Sequence, residues 1–480
     1  MNSSMKIKEL VKNGAAAFAS QGVSFLLSIL VSLLVPKVLG VEEYGYWQLF
    51  IFYSSYTGFF TFGLADGVYL VEGGASRNTI DKRKVNSSLW LALAYEIPIA
   101  IVVVLLCALM DFGQEREFVI SATAAYFVIS SSWSSLGFVF QAMNETRLYS
   151  FAVMANKIAF LIPLIALLLS GCASFEPFVV CYALSHCCSL LYCVWKGRDF
   201  LAAGLCSLTQ TVRVSLGYIR VGVKLMLANI ASTLILGVAR FLIDAEWGIA
   251  TFGRLSFSLS MVNFFLAFVS QASMVLFPAL RQSNEDERLR IFSGMRDTLT
   301  ILLPAAYLLC FPLIWLIGLW LPQYQSCLHY FVYLLPLCVF DGKMNLLGTT
   351  YFKVLREEST LLKVNVATAA LSLVGTLIGI YILQSIDAVI CAVVIALAFR
   401  SLLSEEIISK KIGVETSLLP VGETLISIGF VATSSLLPTW CAIVVYALMY
   451  FVFLAVYRRT STAVFGRLIN LRKNLGKQSA

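Results

Sequence analysis

Apolar stretches long enough to cross a membrane recur along the whole chain. An α-helix needs about 20 apolar residues to span the hydrocarbon core of a bilayer. Fourteen stretches reach or approach this length, with short polar segments between them: 14–39, 47–71, 88–110, 118–140, 150–170, 175–195, 221–243, 249–279, 298–317, 325–349, 361–383, 386–408, 423–438 and 440–457. The pattern predicts an all-α membrane protein with about fourteen transmembrane helices.

Composition agrees with this prediction and narrows the function. Apolar residues make up 59% of the chain and charged residues 13%, against about 25% charged residues in globular proteins. The mean hydropathy is +0.85. A soluble enzyme, a nucleic-acid-binding protein and a disordered scaffold are therefore excluded. The chain has only two histidines, His186 and His329, and no P-loop motif, so no metal, haem or nucleotide cofactor is expected.

The basic residues indicate the orientation in the membrane. Loops on the cytoplasmic side are enriched in Lys and Arg. With the N-terminus placed in the cytoplasm, 29 of the 35 Lys and Arg residues fall on the inner side. Only Lys37, Arg116 and Arg254 fall on the outer side. We therefore expect an even number of spans, with both termini in the cytoplasm.

The chain repeats itself at an offset of 208–209 residues. Tyr44-Gly45 corresponds to Phe252-Gly253, and Asn156 to Asn365. An offset of six spans keeps the direction across the membrane, so the halves are predicted to be parallel repeats, as in many transporters. The predicted domains are an N-terminal lobe (1–198), an amphipathic inner linker (199–220), a C-terminal six-helix lobe (221–411), and two further helices with a basic tail (412–480). Substrate would bind between the lobes and gain access to each side alternately.

Ionisable residues inside the predicted spans are candidate functional residues, because they are costly in lipid and usually face a cavity or a partner. The cations are Lys157, Arg240 and Lys343, with Lys37 at an outer end; the acids are Asp66, Glu96 and Asp341. We predict that the cations bind an anionic substrate, since Lys and Arg bind phosphate well. The acids are candidates for ion coupling.

Two alternatives exist for these charges. The residues could form salt bridges inside one lobe, such as Lys157 with Glu96. Lys37 and Arg240 could instead extend to the outer interface, as long basic side chains often do.

Four short motifs resemble bacterial polysaccharide exporters, the O-antigen and capsule flippases. They are PKVLGVEEYGY at 36–46, GLADGVY at 63–69, FDGKMN at 340–345 and YFKVLR at 351–356. The resemblance extends over the whole chain, including the span count. It implies the fold shared by multidrug exporters and lipid-linked oligosaccharide flippases.

The resemblance implies a flippase in the bacterial cytoplasmic membrane that moves undecaprenyl-diphosphate-linked oligosaccharide units from the inner to the outer leaflet. Its other implied partners are membrane lipids, a polysaccharide polymerase and chain-length proteins, without nucleic acid. The alternatives are a peptidoglycan-precursor flippase or a multidrug or cation antiporter of the same fold. A membrane glycan polymerase or ligase is a third alternative, but the predicted outer loops of about a dozen residues are too short for an external catalytic site.

Overall fold

The computed structural model describes residues 22–23, 26–110, 112–282, 284–414 and 418–467, with side chains left out of the description at 268–282. The first half of the predicted span 14–39 and most of the basic tail lie outside these residues. Within them the chain is almost entirely helical and contains no β-strand. The prediction of an all-α membrane protein is therefore confirmed.

The chain forms two compact units, the first made of residues up to Ile230 together with Ile249–Gly253. Its helices end where glycine or short polar turns interrupt the apolar sequence. They are α1 (Leu26–Val38), α2 (Val41–Ser54), α3 (Leu64–Val71), α4 (Lys82–Leu109), α5 (Gln114–Ala142), α6 (Thr146–Leu169), α7 (Glu176–Lys196) and α8 (Arg198–Leu201), followed by the start of α9 (Leu208–Gln282).

The second unit contains Ala231–Gly248 and the chain from Arg254 onward. After α9 its helices are α10 (Glu285–Leu302), α11 (Cys310–Trp320), α12 (Leu328–Leu334), α13 (Pro336–Lys343), α14 (Thr350–Val354), α15 (Glu358–Tyr381), α16 (Ile386–Ile412), α17 (Leu419–Leu436) and α18 (Thr439–Val456). A π-helical turn, Met344–Thr349, joins α13 to α14.

The described residues contain ten helices long and apolar enough to cross a membrane, or eleven if one bent pair is counted as a single span. The bent pair is Pro322–Leu334 with Pro336–Val354, which meet at 43°. This count is lower than fourteen partly because α9 runs for 75 residues and contains both the seventh and eighth predicted spans. Its two parts are separated only at Gly248, which has φ 78°, a backbone conformation that glycine adopts without steric cost.

Helices α6 and α15 resemble each other in length and in the turn that precedes them. Each is 24 residues long, and they begin 212 residues apart. The same hydrogen bond precedes both, from Glu145 N–H to the Phe140 carbonyl and from Glu357 N–H to the Phe352 carbonyl, each 2.8 Å. The two helices are thus offset by 212 residues. The Asn156–Asn365 match predicts 209, and the difference is about one helical turn.

Two close helix contacts in the first unit depend on glycine. A Cβ built on Gly222 would lie 2.1 Å from the Gly63 carbonyl oxygen, and one on Gly67 would lie 2.0 Å from the Tyr218 carbonyl oxygen. The start of α3 and the start of α9 thus touch backbone to backbone. Small residues permit this approach between membrane helices.

Candidate functional site

A buried arginine links four helices of the second unit. Arg400 on α16 is 3% exposed. Its Nε donates to Asn365 Oδ1 at 2.9 Å, its Nη1 to Asp341 Oδ1 at 3.2 Å and its Nη2 to Ser232 Oγ at 3.0 Å. Asp341 also accepts a hydrogen bond from Asn345 Nδ2 at 3.1 Å. This Arg400 network gives a guanidinium in the apolar interior three polar partners, which such a group requires.

A second buried group surrounds Lys343, which is 2% exposed. Its Nζ lies 2.6 Å from Glu423 Oε2 and 2.7 Å from Glu405 Oε2. It also donates to Thr300 Oγ1 at 3.0 Å. Glu405 comes from α16, Glu423 from α17 and Thr300 from α10. We call these four residues the Lys343 cluster.

Asp341 and Lys343 lie two positions apart on α13 yet belong to different networks. Successive residues of an α-helix are about 100° apart around its axis. The two side chains therefore leave α13 on nearly opposite sides. Both are engaged inside their own unit, the arrangement described above as the salt-bridge alternative.

In the first unit, Glu96 is buried and accepts a hydrogen bond from Ser131 Oγ. It does not pair with Lys157, so the salt bridge considered as an alternative for these two residues is not formed. His186 lies nearby on α7, with its Nε2 3.3 Å from the Tyr126 hydroxyl and 3.4 Å from Asn156 Nδ2. Tyr126, Asn156 and His186 form a polar group enclosed by aromatic rings.

The remaining predicted residues are less deeply buried. Lys157 on α6 is half-buried and forms no ion pair with the described carboxylates. Arg240 on α9 is half-buried and donates from Nη2 to Ser256 Oγ at 2.9 Å. Asp66 on α3 is half-buried, and Lys37 at the end of α1 is exposed. Each unit therefore carries a half-buried cation, Lys157 in the first and Arg240 in the second.

Outside the predicted spans, ion pairs tie three loops of the first unit together. Arg77 Nη2 lies 3.2 Å from Glu145 Oε2, and Lys82 Nζ lies 2.8 Å from Asp199 Oδ2. Burial raises the pKa of Glu145 above its usual range, although the charge of Arg77 opposes this. Burial also acts to raise the pKa of Asp199, but the hydrogen bond from Lys82 and the charge of Arg77 outweigh it and lower this pKa.

A cavity of about 570 Å³ opens beside the Lys343 cluster. It lies between α16 and α17, and one end of α10 contributes to its wall. Polar and apolar side chains share the lining: Arg296, Leu402, Glu405, Glu406, Ser409, Pro420, Val421, Thr424 and Leu425. Glu405 is the residue common to the cavity wall and the Lys343 cluster.

Three ionisable members of these networks are not among the candidate residues predicted from the sequence. Arg400 is one of the basic residues assigned to the inner side, although it lies inside the predicted span 386–408, and the structure places it in the buried interior. Glu405 lies within the same predicted span, and Glu423 is the first residue of the predicted span 423–438. A search for every ionisable residue within the span limits would find all three.

The fold is similar to that of known membrane transporters. No protein-family model matches the chain, and no curated protein matches it in sequence. Among solved structures, the chain is similar to the lipid II flippase MurJ in an inward closed conformation, with a TM-score of 0.65 and 11% identity. The match covers 94% of this chain and 99% of the flippase.

Two MATE transporter structures are also similar. An inward-facing MATE family transporter of the MOP superfamily matches with a TM-score of 0.57 and 12% identity, covering 83% of this chain and 98% of that one. A point mutant of the Vibrio cholerae MATE transporter VcmN matches with a TM-score of 0.56 and 12% identity, covering 87% and 99%. At these identities the comparisons establish the fold alone, which this chain shares with these transporters.

Proposed function

We propose that this protein is a flippase for an undecaprenyl-diphosphate-linked oligosaccharide, such as an O-antigen or capsule precursor. The observation that carries the proposal is the structural similarity to a lipid II flippase over 94% of the chain. Lipid II is itself a lipid-linked saccharide. The four sequence motifs that resemble those of polysaccharide exporters indicate the class of substrate.

The half-buried cations support an anionic substrate. Lys157 forms no ion pair with a described carboxylate, whereas Lys343 is enclosed by acids. Arg240 is half-buried and donates to the Ser256 hydroxyl, and guanidinium groups bind phosphate well. Both side chains can therefore bind the diphosphate by charge-assisted hydrogen bonds. We propose Lys157, Arg240 and the exposed Lys37 as substrate-binding residues.

Lys343 is not among the proposed substrate-binding residues. The sequence predicts it as a fourth substrate-binding cation, but its ammonium is engaged within the Lys343 cluster.

The acids predicted for ion coupling also differ from one another. Asp341 is bound to Arg400 and Asn345, so its carboxylate contributes to the stability of the second unit. Glu96 and Asp66 remain candidates for ion coupling. No step of the proposed function requires a cofactor or covalent chemistry.

A reconstituted flipping assay tests the proposal. Purified protein is placed in vesicles containing a fluorescent polyprenyl-diphosphate oligosaccharide, and transfer between leaflets is measured by loss of accessibility to an external quencher. We expect transfer of this lipid, with no accumulation of a cationic dye such as ethidium. Dye transport without lipid transfer would identify a multidrug exporter instead. Lipid II supplied in place of the oligosaccharide lipid separates the peptidoglycan-precursor alternative.

Matched variants connect the assay to the proposed residues. Lys157→Ala and Arg240→Ala should each slow transfer at least tenfold, while Lys157→Arg and Arg240→Lys retain most of it. Lys410→Ala is the control, because Lys410 is exposed and pairs only with Glu406 among the described residues. The amount of folded protein in the vesicles is measured in parallel. Normal transfer by both alanine variants would refute the cationic path.

A further inference from the structure

The Lys343 cluster contains one more carboxylate than it has cations. Lys343 is the only cation that contacts both Glu405 and Glu423 among the described residues, and all three side chains are at least nine-tenths buried. If both acids were ionised, the cluster would carry one uncompensated negative charge. Burying such a charge away from water is strongly unfavourable.

Each acid of the cluster has one carboxylate oxygen without a hydrogen-bond partner among the described residues, Oε2 of Glu405 and Oε1 of Glu423. The Glu405 oxygen lies 2.7 Å from Lys343 Nζ. Glu423 is fully buried, and its other oxygen, Oε2, is bound to Lys343. A buried carboxylate normally satisfies both oxygens. A proton shared between Glu405 and Glu423 would remove the uncompensated negative charge of the cluster.

The neighbouring helices do not supply the missing positive charge. Arg296 on α10 lies 4.0 Å from Glu405, but it also pairs with Asp297 at 3.2 Å. These two charges offset each other. On α13 and α16, Asp341 and Arg400 likewise form a pair of opposite charges.

The other described groups beside Glu423 are neutral. The Tyr307 hydroxyl lies 2.9 Å from Ser427 Oγ, and Ser427 donates to the Glu423 carbonyl at 2.8 Å. Across the cavity wall, Glu406 pairs with Lys410. The excess of one carboxylate therefore remains when every described charged group facing the cluster is included.

The cavity gives this carboxylate pair a route for exchange. Glu405 lines the cavity and also contacts Lys343, which in turn contacts Glu423. Ser409 and Thr424 supply hydroxyl groups along the cavity wall. A cavity of this volume can hold water, which can form hydrogen bonds with the Glu405 carboxylate and with these hydroxyl groups.

We propose that the Lys343 cluster is a proton-binding site, in which Glu405 and Glu423 share one exchangeable proton that enters and leaves through this cavity. The site is independent of which substrate the protein carries. Binding of the proton changes the charge of the cluster from −1 to neutral.

Infrared difference spectroscopy of the purified full-length protein tests the site directly. A protonated carboxylic acid has a carbonyl stretch that is separate from the bands of carboxylates, and this band shifts in D₂O. We expect Glu405→Gln and Glu423→Gln each to lose the band of one protonated carboxyl at neutral pH, because either change leaves a balanced pair with Lys343. Glu406→Gln, on the neighbouring exposed acid, should retain it. Glu96→Gln identifies any separate contribution from Glu96.

The rate of the D₂O shift tests the proposed route of proton exchange. Thr424→Trp should fill part of the cavity and slow the D₂O shift at least tenfold, whereas Thr433→Trp on the same helix should not. Spectra of Glu405→Gln and Glu423→Gln that both match the wild type in this band would overturn the proposal. If either glutamine variant fails to fold, Lys343→Met provides the second test. It removes the ammonium, so the band should grow to two protonated carboxyls, and an unchanged band would equally refute the site.

Discussion

Gly45 and Gly253, which the sequence repeat pairs with each other, lie in direct contact in the folded protein. A Cβ built on Gly253 would lie 2.9 Å from Gly45 Cα and 2.8 Å from the Val41 carbonyl oxygen. A Cβ built on Gly45 would lie 2.5 Å from the Ile249 carbonyl oxygen. The first turn of α2 and the segment after Gly248 therefore touch backbone to backbone, and the repeat places glycine on both sides of the contact.

Gly253→Ala should destabilise the protein by about 1–3 kcal/mol, the usual cost of overpacking a close contact. The new methyl group would meet backbone atoms, which cannot rotate away. Gly217→Ala is the control on the same helix, since nothing lies within 4 Å of its Cβ position. It should be neutral or stabilising by roughly 0.5–1 kcal/mol, because alanine favours a helix over glycine. Thermal unfolding in detergent measures both variants, and equal melting temperatures would contradict the close contact.

Arg400→Met should destabilise the second unit by about 3–5 kcal/mol, because it leaves the buried Asp341 without its cation. Asp341→Asn in the same chain should restore part of this loss, since it removes the unpaired charge. Lys410→Met, which affects an exposed pair, should change stability by less than about 1 kcal/mol. The yield of monodisperse protein and its melting temperature are the measurements. If Arg400→Met were as stable as the wild type, the Arg400 network would contribute little to stability.

The sequence predicts the helices better than it predicts which charges meet. Apolar stretches determine where helices can exist, because lipid requires every backbone group to be bonded within the helix. They do not determine how helices with similar apolar surfaces pack. The break at Gly248 is an example, since the apolar pattern places a boundary there but gives no indication that α9 continues almost directly through it.

The charged networks depend on contacts between residues distant in sequence. Lys343 and Glu423 are 80 positions apart, and Arg400 and Ser232 are 168 apart. Spacing along one helix correctly separates Asp341 from Lys343, because that relationship is local. It cannot show that α16 and α17 bring Glu405 and Glu423 to the same ammonium.

Asp199→Asn should reduce stability most at neutral pH. The lowered pKa of Asp199 means that its carboxylate stabilises the folded state above the ordinary value of about 3.9. This contribution is lost as the pH falls through the folded-state pKa. Because the pair with Lys82 is partly exposed, the effect should stay below about 1 kcal/mol. The difference in melting temperature between wild type and variant should therefore shrink as the pH is lowered towards 3.

The contribution of Glu145 to stability should change with pH in the opposite direction, which makes this residue a control. Burial raises its pKa, so its contribution to stability is fully present below the ordinary value of about 4.3 and is lost as the pH rises through the folded-state pKa. The stability of the wild type relative to Glu145→Gln should fall with rising pH, whereas that relative to Asp199→Asn should rise. The same pH trend for both variants would show that these two carboxyls are not perturbed in opposite directions.

The membrane potential should bias the proposed flipping reaction. The interior of a bacterial cell is electrically negative, and moving one charge through 100 mV changes its free energy by about 2.3 kcal/mol. A diphosphate with roughly two negative charges would gain about 4–5 kcal/mol per 100 mV on moving outward, provided that the charges of the protein stay in place. In vesicles, valinomycin and potassium can set this potential to zero while pH and sodium are held equal on both sides. We expect the directional bias of lipid transfer to disappear while exchange in both directions continues. Accumulation that persists at zero potential would mean that an ion gradient, and not the charge of the substrate, drives the transfer.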